Sequence, residues 1–329
     1  MPQAFFSRLF QRILATVYIH QAVIMHNSIS IWLDAARPKT LPLGLISIFT
    51  GSALAYSENH FSWPITILAL MTSVLLQILS NLANDYGDAV KGTDNEKRLG
   101  PVRAIQSGAV SLKDMKVAIV INVVLTMITG LALILFALDS LQNIIVFIGL
   151  GILSMIAAVA YTMGNKPYGY VGLGDLSVFI FFGLLGVSGS YFLYTGRFET
   201  HLLLPSIACG LLAVAVLNIN NMRDIENDQE CGKRTVAVRL GPILAKKYHF
   251  ILLAGAVLAF GSYLFILTDP VWMALPFLLS LIFVFRHAVA VWEAEQPVQI
   301  APMLPVIVKC SIVTNLLFIT VVVAQTLAS

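Results

Sequence analysis

The chain has 329 residues, 58% of them hydrophobic and 11% charged, with 20 Lys and Arg, 17 Asp and Glu and a formal net charge of +3. A soluble domain carries about 25% charged residues, so a water-soluble globular fold is excluded. With a mean hydropathy of +0.86, the chain reads as an all-α polytopic membrane protein with no room for a separate soluble domain.

The first 30 residues form an extension to the main domain, which is assigned to 31–329. Phe5, Phe6, Leu9, Phe10, Ile13 and Leu14 recur near helical spacing around Arg8 and Arg12, the pattern of a short interfacial helix. No small-x-small cleavage site follows, so a signal peptide is not expected. The alternative is that Met25 is the start and the preceding residues are an upstream extension.

Apolar runs of membrane-spanning length predict nine helices, at 41–57, 64–84, 116–137, 143–162, 173–194, 202–222, 248–267, 271–286 and 303–326. Of the basic residues, all but Arg197 and Lys309 fall before the first span or in loops after even-numbered spans. By the positive-inside rule those segments are cytoplasmic, which implies a multi-pass membrane protein with a cytoplasmic N-terminus. Cys209, Cys231 and Cys310 are isolated and the six histidines are scattered, so neither a disulfide framework nor a zinc site is indicated.

Polar residues at the edge of a membrane span are costly and therefore informative. One cluster runs from Ser80 to Asp88 and on to Asp94, and a second from Asn218 to Asp228. Asn84 and Asp88 are four residues apart, as are Asn220 and Asp224 and then Asp224 and Asp228, so each set shares a helix face. Carboxylates at a helix C-terminus oppose the dipole unless a cation is bound. Such oxygens suit Mg²⁺ bridged to substrate phosphates better than an all-protein cage. The two sets are offset by 136 residues with four spans between them, so both are expected at one membrane face, as in a repeat. Lys97, Arg98 and Arg103 follow the first cluster, Arg223 and Lys233 flank the second, and Lys166 is the one charge in its loop. Carboxylates for metal beside Lys and Arg for phosphate oxygens are the requirements of a diphosphate site.

These residues resemble a known family. Asn84-Asp85-Tyr86-Gly87-Asp88 with Asp94, and Asp224-Ile225-Glu226-Asn227-Asp228, are similar to the two aspartate-rich motifs of the UbiA superfamily of intramembrane prenyltransferases. The wording of Arg37 to Pro42, Leu79 to Gly92, Tyr161 to Tyr170, Gly172 to Asp175 and Leu217 to Gly241 resembles the branch that acts on 1,4-dihydroxy-2-naphthoate. Where many members carry a further aspartate, this chain has Gly92 with Asp94 beyond it, a shift that points to the naphthoate branch and away from the 4-hydroxybenzoate branch.

The resemblance implies a UbiA-like fold of nine helices around a central cavity, an all-trans polyprenyl diphosphate donor, and demethylmenaquinol as product after loss of CO₂. It implies two Mg²⁺, one on Asn84, Asp88 and Asp94, the other on Asn220, Asp224 and Asp228 with Asn221 in support. Arg103, Lys166, Arg223 and Lys233 are the diphosphate candidates, and Tyr86 and Tyr161 the aromatic faces for an allylic cation. Arg37 or Lys39 is expected to meet the acceptor's carboxylate. The expected partners are these substrates and the lipid bilayer, with no nucleic acid. The competing reading is a secondary transporter, whose coupling sites lie near the bilayer midplane; the position of these carboxylates at one end favours an enzyme. A prenyltransferase with another aromatic acceptor is a further alternative.

Overall fold

A computed structural model describes residues 29–328, so the predicted interfacial helix lies outside the described residues. Among these residues nine long helices occur: α1 Pro42–Ser57, α2 Trp63–Lys91, α3 Leu112–Ala137 and α4 Leu141–Ala160, then α5 Gly174–Thr195, α6 Leu203–Arg223 and α7 Val236–Leu267, α8 Val271–Glu293 and α9 Met303–Ala328. Eight of the described helices are long and apolar enough to cross a membrane. The exception is α1, whose 16 residues span about 24 Å, less than the roughly 30 Å hydrocarbon core.

Local chemistry sets the ends. Pro42 and Pro64 open α1 and α2 in the first turn, where the missing N–H has no intrahelical partner to lose. Ser111 caps α3 by accepting from the Asp114 N–H at 3.1 Å. Gly92 closes α2 with φ 75°, a left-handed conformation that costs glycine little.

Several boundaries differ from the sequence expectation. The second span was expected to end at 84, but α2 continues to Lys91, so Asn84, Asp85 and Asp88 all sit on a helix. That last stretch packs closely: a β-carbon on Gly87 would lie 2.6 Å from the Thr162 carbonyl oxygen. The seventh span begins at Val236, not 248, and is broken where Gly241 takes φ 74° and ψ 170° ahead of Pro242. Within α5, Phe179–Gly189 is wound as a π-helix, a widened winding that is frequent at functional sites. The eighth helix opens with a 3-10 segment through Pro276 and extends beyond 286 to Glu293.

Burial is uneven. The apolar window of α6 is 72% buried and that of α4 only 11%, so α6 is the central post and α4 the periphery. Lipid tails are as apolar as leucine, and helices in a membrane therefore associate through close fit. On α5 and α6 the fit is glycine on glycine, since a β-carbon on Gly183 would lie 2.7 Å from Gly210 Cα. The main core joins Leu212 and Ile219 of α6 to Phe260 of α7 and Phe318 of α9, whose rings are 4.3 Å apart. A smaller cluster joins Leu79 and Leu82 of α2 to Met115 and Ile119 of α3.

At the end of α1, Glu58 accepts from the Tyr191 hydroxyl at 2.6 Å and from Arg197 at 2.5 Å. Beside it, the Tyr194 hydroxyl meets Ser52 Oγ at 2.8 Å and Thr66 Oγ1 at 2.7 Å. This network ties α1, α2 and α5 together at the end of the bundle opposite the acidic clusters.

Candidate active site

Helices α2 and α6 run in the same direction and end at the same face, where the two acidic clusters meet. Asn227 Nδ2 donates to the Thr93 carbonyl at 2.9 Å, joining the second cluster to the first. Lys233 Nζ lies 3.5 Å from Asp88 Oδ2 and 3.7 Å from Asp228 Oδ1. Arg98 Nε lies 3.2 Å from Asp94 Oδ1 and 3.8 Å from Asp224 Oδ2. Each of these cations therefore serves one carboxylate from either cluster. Asp224 also pairs with Arg223, and the Tyr170 hydroxyl donates to Asp88 Oδ1 at 2.7 Å while meeting Thr93 Oγ1 at 2.6 Å.

Asp85 was not among the predicted ligands, yet it is fully buried. It pairs with Arg37 and lies 3.5 Å from Arg103 Nε. Arg37 holds this position with φ 55°, a strained region for a residue with a β-carbon. Sequence reasoning passed over Asp85 because helical spacing from Asn84 selects Asp88. It also passed over Arg98, Thr93, Tyr170 and Asn227 as members of the site. The available signals were that Arg98 lies in the basic flank, Thr93 and Asn227 within the two polar clusters, and Tyr170 in a resemblance stretch already marked.

The electrostatics follow from burial and pairing. Burial pushes the Asp228 carboxyl up to about 6, partly offset by Lys233, and raises Asp94 against the pull of Arg98. Burial also opposes ionisation of Asp224, but its bond to Arg223 prevails and holds it below the usual range. The Arg103 guanidinium is brought down to about 9, first by burial and then by neighbouring Arg37. For Lys233, Asp88 and Asp228 outweigh the effect of burial, so its ammonium is held above the ordinary lysine range.

Beneath this mouth is a cavity of about 690 Å³. Its lining passes from Asp88, Asp224 and Lys233 to Ala69, Leu133 and Phe147 deep among the helices. From Asp88 to Ala69 along α2 the depth is about 28 Å, most of a bilayer's hydrocarbon thickness. At the floor, the Phe147 and Phe192 rings stack at 5.2 Å.

Most of the predicted residues line this cavity: Arg37, Lys39, Asn84, Asp88, Arg103, Tyr161, Asn220, Asn221, Arg223, Asp224, Asp228 and Lys233. Asp94 stands behind Arg98, which does line it. Two residues are not brought to the site. Lys166 is exposed in its loop and outside the lining. Tyr86 points to the other side of α2, with Lys116 Nζ 5.3 Å from its ring centre, because the next position along from Asp85 faces α3.

The donor set fits Mg²⁺ in a specific way. Among the described residues no three His, Cys, Asp or Glu side chains form a metal-holding group by themselves. Carboxylates and amide oxygens from two helices nonetheless face one mouth, and the buried Oδ2 atoms of Asp85 and Asp94 have no hydrogen-bond partner. That pattern matches an ion held by one or two carboxylates, with phosphate oxygens and water completing its shell.

Comparison with known proteins gives a consistent result. The UbiA prenyltransferase family matches residues 44–310. A 1,4-dihydroxy-2-naphthoate octaprenyltransferase of Haemophilus influenzae is 47% identical over 297 residues, covering 90% of this chain and 96% of that protein. The Escherichia coli protein of the same name is 49% identical over 288 residues, covering 88% and 93%. Among solved structures, a UbiA homolog from Archaeoglobus fulgidus bound to DMAPP and Mg²⁺ superposes with a TM-score of 0.60 at 16% identity, covering 91% of this chain and all of that one.

Proposed function

This chain belongs to the UbiA prenyltransferase family, and on that premise we propose that it transfers a polyprenyl group from an all-trans polyprenyl diphosphate to 1,4-dihydroxy-2-naphthoate. Diphosphate and CO₂ leave, and the product is demethylmenaquinol, an intermediate of menaquinone synthesis. The observation that carries this reading is a charged mouth, built by two acidic clusters that share Lys233 and Arg98, set directly over a deep apolar cavity. A diphosphate head and a hydrocarbon tail have the same division.

In this reading Asn84, Asp88 and Asp94 on one side, and Asn220, Asp224 and Asp228 on the other, hold a divalent metal, which we take to be two Mg²⁺. Ions held there would supply the positive charge that a leaving diphosphate requires. Arg103, Arg223 and Lys233 hold the remaining phosphate oxygens. Tyr161, at the head of the cavity, offers a ring face to the allylic cation, and the apolar walls below exclude water from it. Lys39 and Arg37 stand where the acceptor's carboxylate would lie, with Arg37 already engaged by Asp85. The protein works as a single catalytic domain over 31–329 in a bacterial inner membrane, with its mouth on the cytoplasmic side.

The test is a reconstituted assay with the purified protein, 1,4-dihydroxy-2-naphthoate and a set of prenyl diphosphates, with and without Mg²⁺, read by mass. Metal-dependent demethylmenaquinol is the expected product. Prenylation of 4-hydroxybenzoate in place of the naphthoate would overturn the choice of acceptor.

A further inference from the structure

Two arginines stand outside the cavity, at the point where α5 enters the membrane beside the mouth. Arg239, near the start of α7, lies across the turn that joins α4 to α5. Its Nη2 donates to the Val171 carbonyl at 2.7 Å and its Nε to the Arg234 carbonyl at 3.3 Å. Gly172 makes room for this approach, since a β-carbon there would lie 3.0 Å from Arg239 Nε. The Arg234 N–H in turn donates to the Tyr170 carbonyl at 2.9 Å, so both arginines are fixed to one short segment, Tyr168–Val171. The ion pairs of the mouth use Arg37, Lys97, Arg98, Arg103, Arg223 and Lys233. Among the described residues, neither Arg234 nor Arg239 has a carboxylate partner, and both are exposed.

A guanidinium carries five N–H donors in a rigid fork geometry. The carbonyls of Val171 and Arg234 take up the side formed by Nε and Nη2, which leaves the end formed by Nη1 and Nη2. That end matches two oxygens of a phosphate group. Because the guanidinium is already held, less freedom is lost when a ligand binds it. Beside the cations, the chain entering the membrane shows Val171, Leu173 and Leu176, all exposed. The Tyr248 hydroxyl donates to Asp175 Oδ2 at 3.1 Å, so α7 closes against the first turn of α5 at this place. A soluble anion would use the cations alone. A phospholipid would use the cations for its phosphate and the leucines for an acyl chain.

We propose that Arg234 and Arg239, with Val171, Leu173 and Leu176, form a binding site for an anionic phospholipid of the leaflet on the mouth side. Positive charge on this side is common to membrane proteins and needs no aimed geometry. The two carbonyl bonds that aim Arg239 go beyond that requirement. The phosphate rests on the open end of the Arg239 guanidinium, Arg234 adds a second charge, and an acyl chain runs along Leu173 and Leu176. The segment the headgroup touches also carries Tyr170, whose hydroxyl donates to Asp88. The site therefore adjoins the mouth without entering the cavity, which none of its five residues lines.

The test titrates the purified protein in neutral detergent with fluorescent phosphatidylglycerol and, separately, with fluorescent phosphatidylcholine of the same chain length. The parent is expected to bind phosphatidylglycerol more tightly. Arg234→Gln with Arg239→Gln should weaken that binding roughly thirtyfold, about fivefold for each cation that meets an anionic surface, and leave phosphatidylcholine binding unchanged. Glycerol phosphate, which has no acyl chain, should not compete at the same concentration. Equal affinity of the parent for the two lipids overturns the site, as does a double variant that keeps the preference. Displacement by glycerol phosphate as complete as by unlabelled phosphatidylglycerol overturns the lipid and assigns the cations to a soluble anion. Should the double variant not fold, Arg234→Gln alone decides, since that side chain bonds to no other residue among those described. It should lose about fivefold, and an unchanged affinity counts against the site.

Discussion

Asn227 hands an amide hydrogen to the Thr93 carbonyl across 2.9 Å, and both residues are buried. This bond holds the loop after α2 against the short helix after α6. Replacing Asn227 with leucine removes this bond and leaves the carbonyl only the Asn95 N–H at 3.1 Å, a cost of about 0.5–1.5 kcal/mol. The variant should lose that stability in thermal unfolding in detergent and drop at least tenfold in prenyl transfer, because the two clusters no longer share one geometry. Full activity would mean the clusters work independently.

Asp88→Asn and Asp224→Asn remove a negative charge while keeping the shape. Each should lower kcat about 10²–10³-fold, the range for losing one electrostatic stabiliser of a transition state, and each should weaken the response to Mg²⁺. Near-normal transfer by either variant would remove that residue from the metal set.

Lysines separate by position. Lys166 is exposed outside the cavity, so Lys166→Ala should stay within about twofold of the parent, as surface changes do. Lys233→Ala leaves Asp88 and Asp228 buried without their shared cation and should cost about 3–5 kcal/mol of stability as well as activity. Equal effects from the two would mean that the loop after α4 reaches the mouth during turnover.

The acid side of the pH profile should report Asp228, whose carboxyl burial pushes up to about 6. The folded protein holds this proton more tightly than the unfolded chain, so its contribution to stability falls as pH rises from about 4 to about 6. Activity has the opposite sign, since in the proposed function the ionised form holds the metal, and declines as pH falls through that range. Metal competes with the proton, so raising Mg²⁺ should move the acid limb to lower pH. A limb indifferent to Mg²⁺ would assign it to another group.

The stacked pair Phe147 and Phe192 bounds the cavity's deep end. Phe147→Ala should leave short donors unaffected and raise kcat/KM for longer ones, measured across prenyl diphosphates of increasing length. An unchanged length profile would place the limit elsewhere.

Helix number, the shared mouth and most of the charged residues that line it were legible from scarce charge and from the spacing of amides and carboxylates. What was not legible depends on contacts between distant segments. Asp85 reads as an ordinary neighbour of Asn84 until Arg37 and Arg103 are folded onto it. Lys166 is conspicuous in sequence as a lone charge, but the loop carries it outward. The close packing of Gln77 against Gly44 is likewise tertiary, and no local pattern encodes it. The helical end of α2 was missed because its polar residues resemble a loop, and the close approach of Thr162 to Gly87 that accompanies that helical end is tertiary.

The bonds among Glu58, Tyr191 and Arg197, with Tyr194 bridging Ser52 and Thr66, lie beyond the cavity floor. A carrier must open its binding site to each side in turn, and here one side is bolted by charge and hydroxyl contacts across three helices. A hollow running through most of the bilayer would otherwise be a route for protons. With its far end tied in this way, the bundle is held together there by directional polar bonds, while its other end is left to the charged mouth.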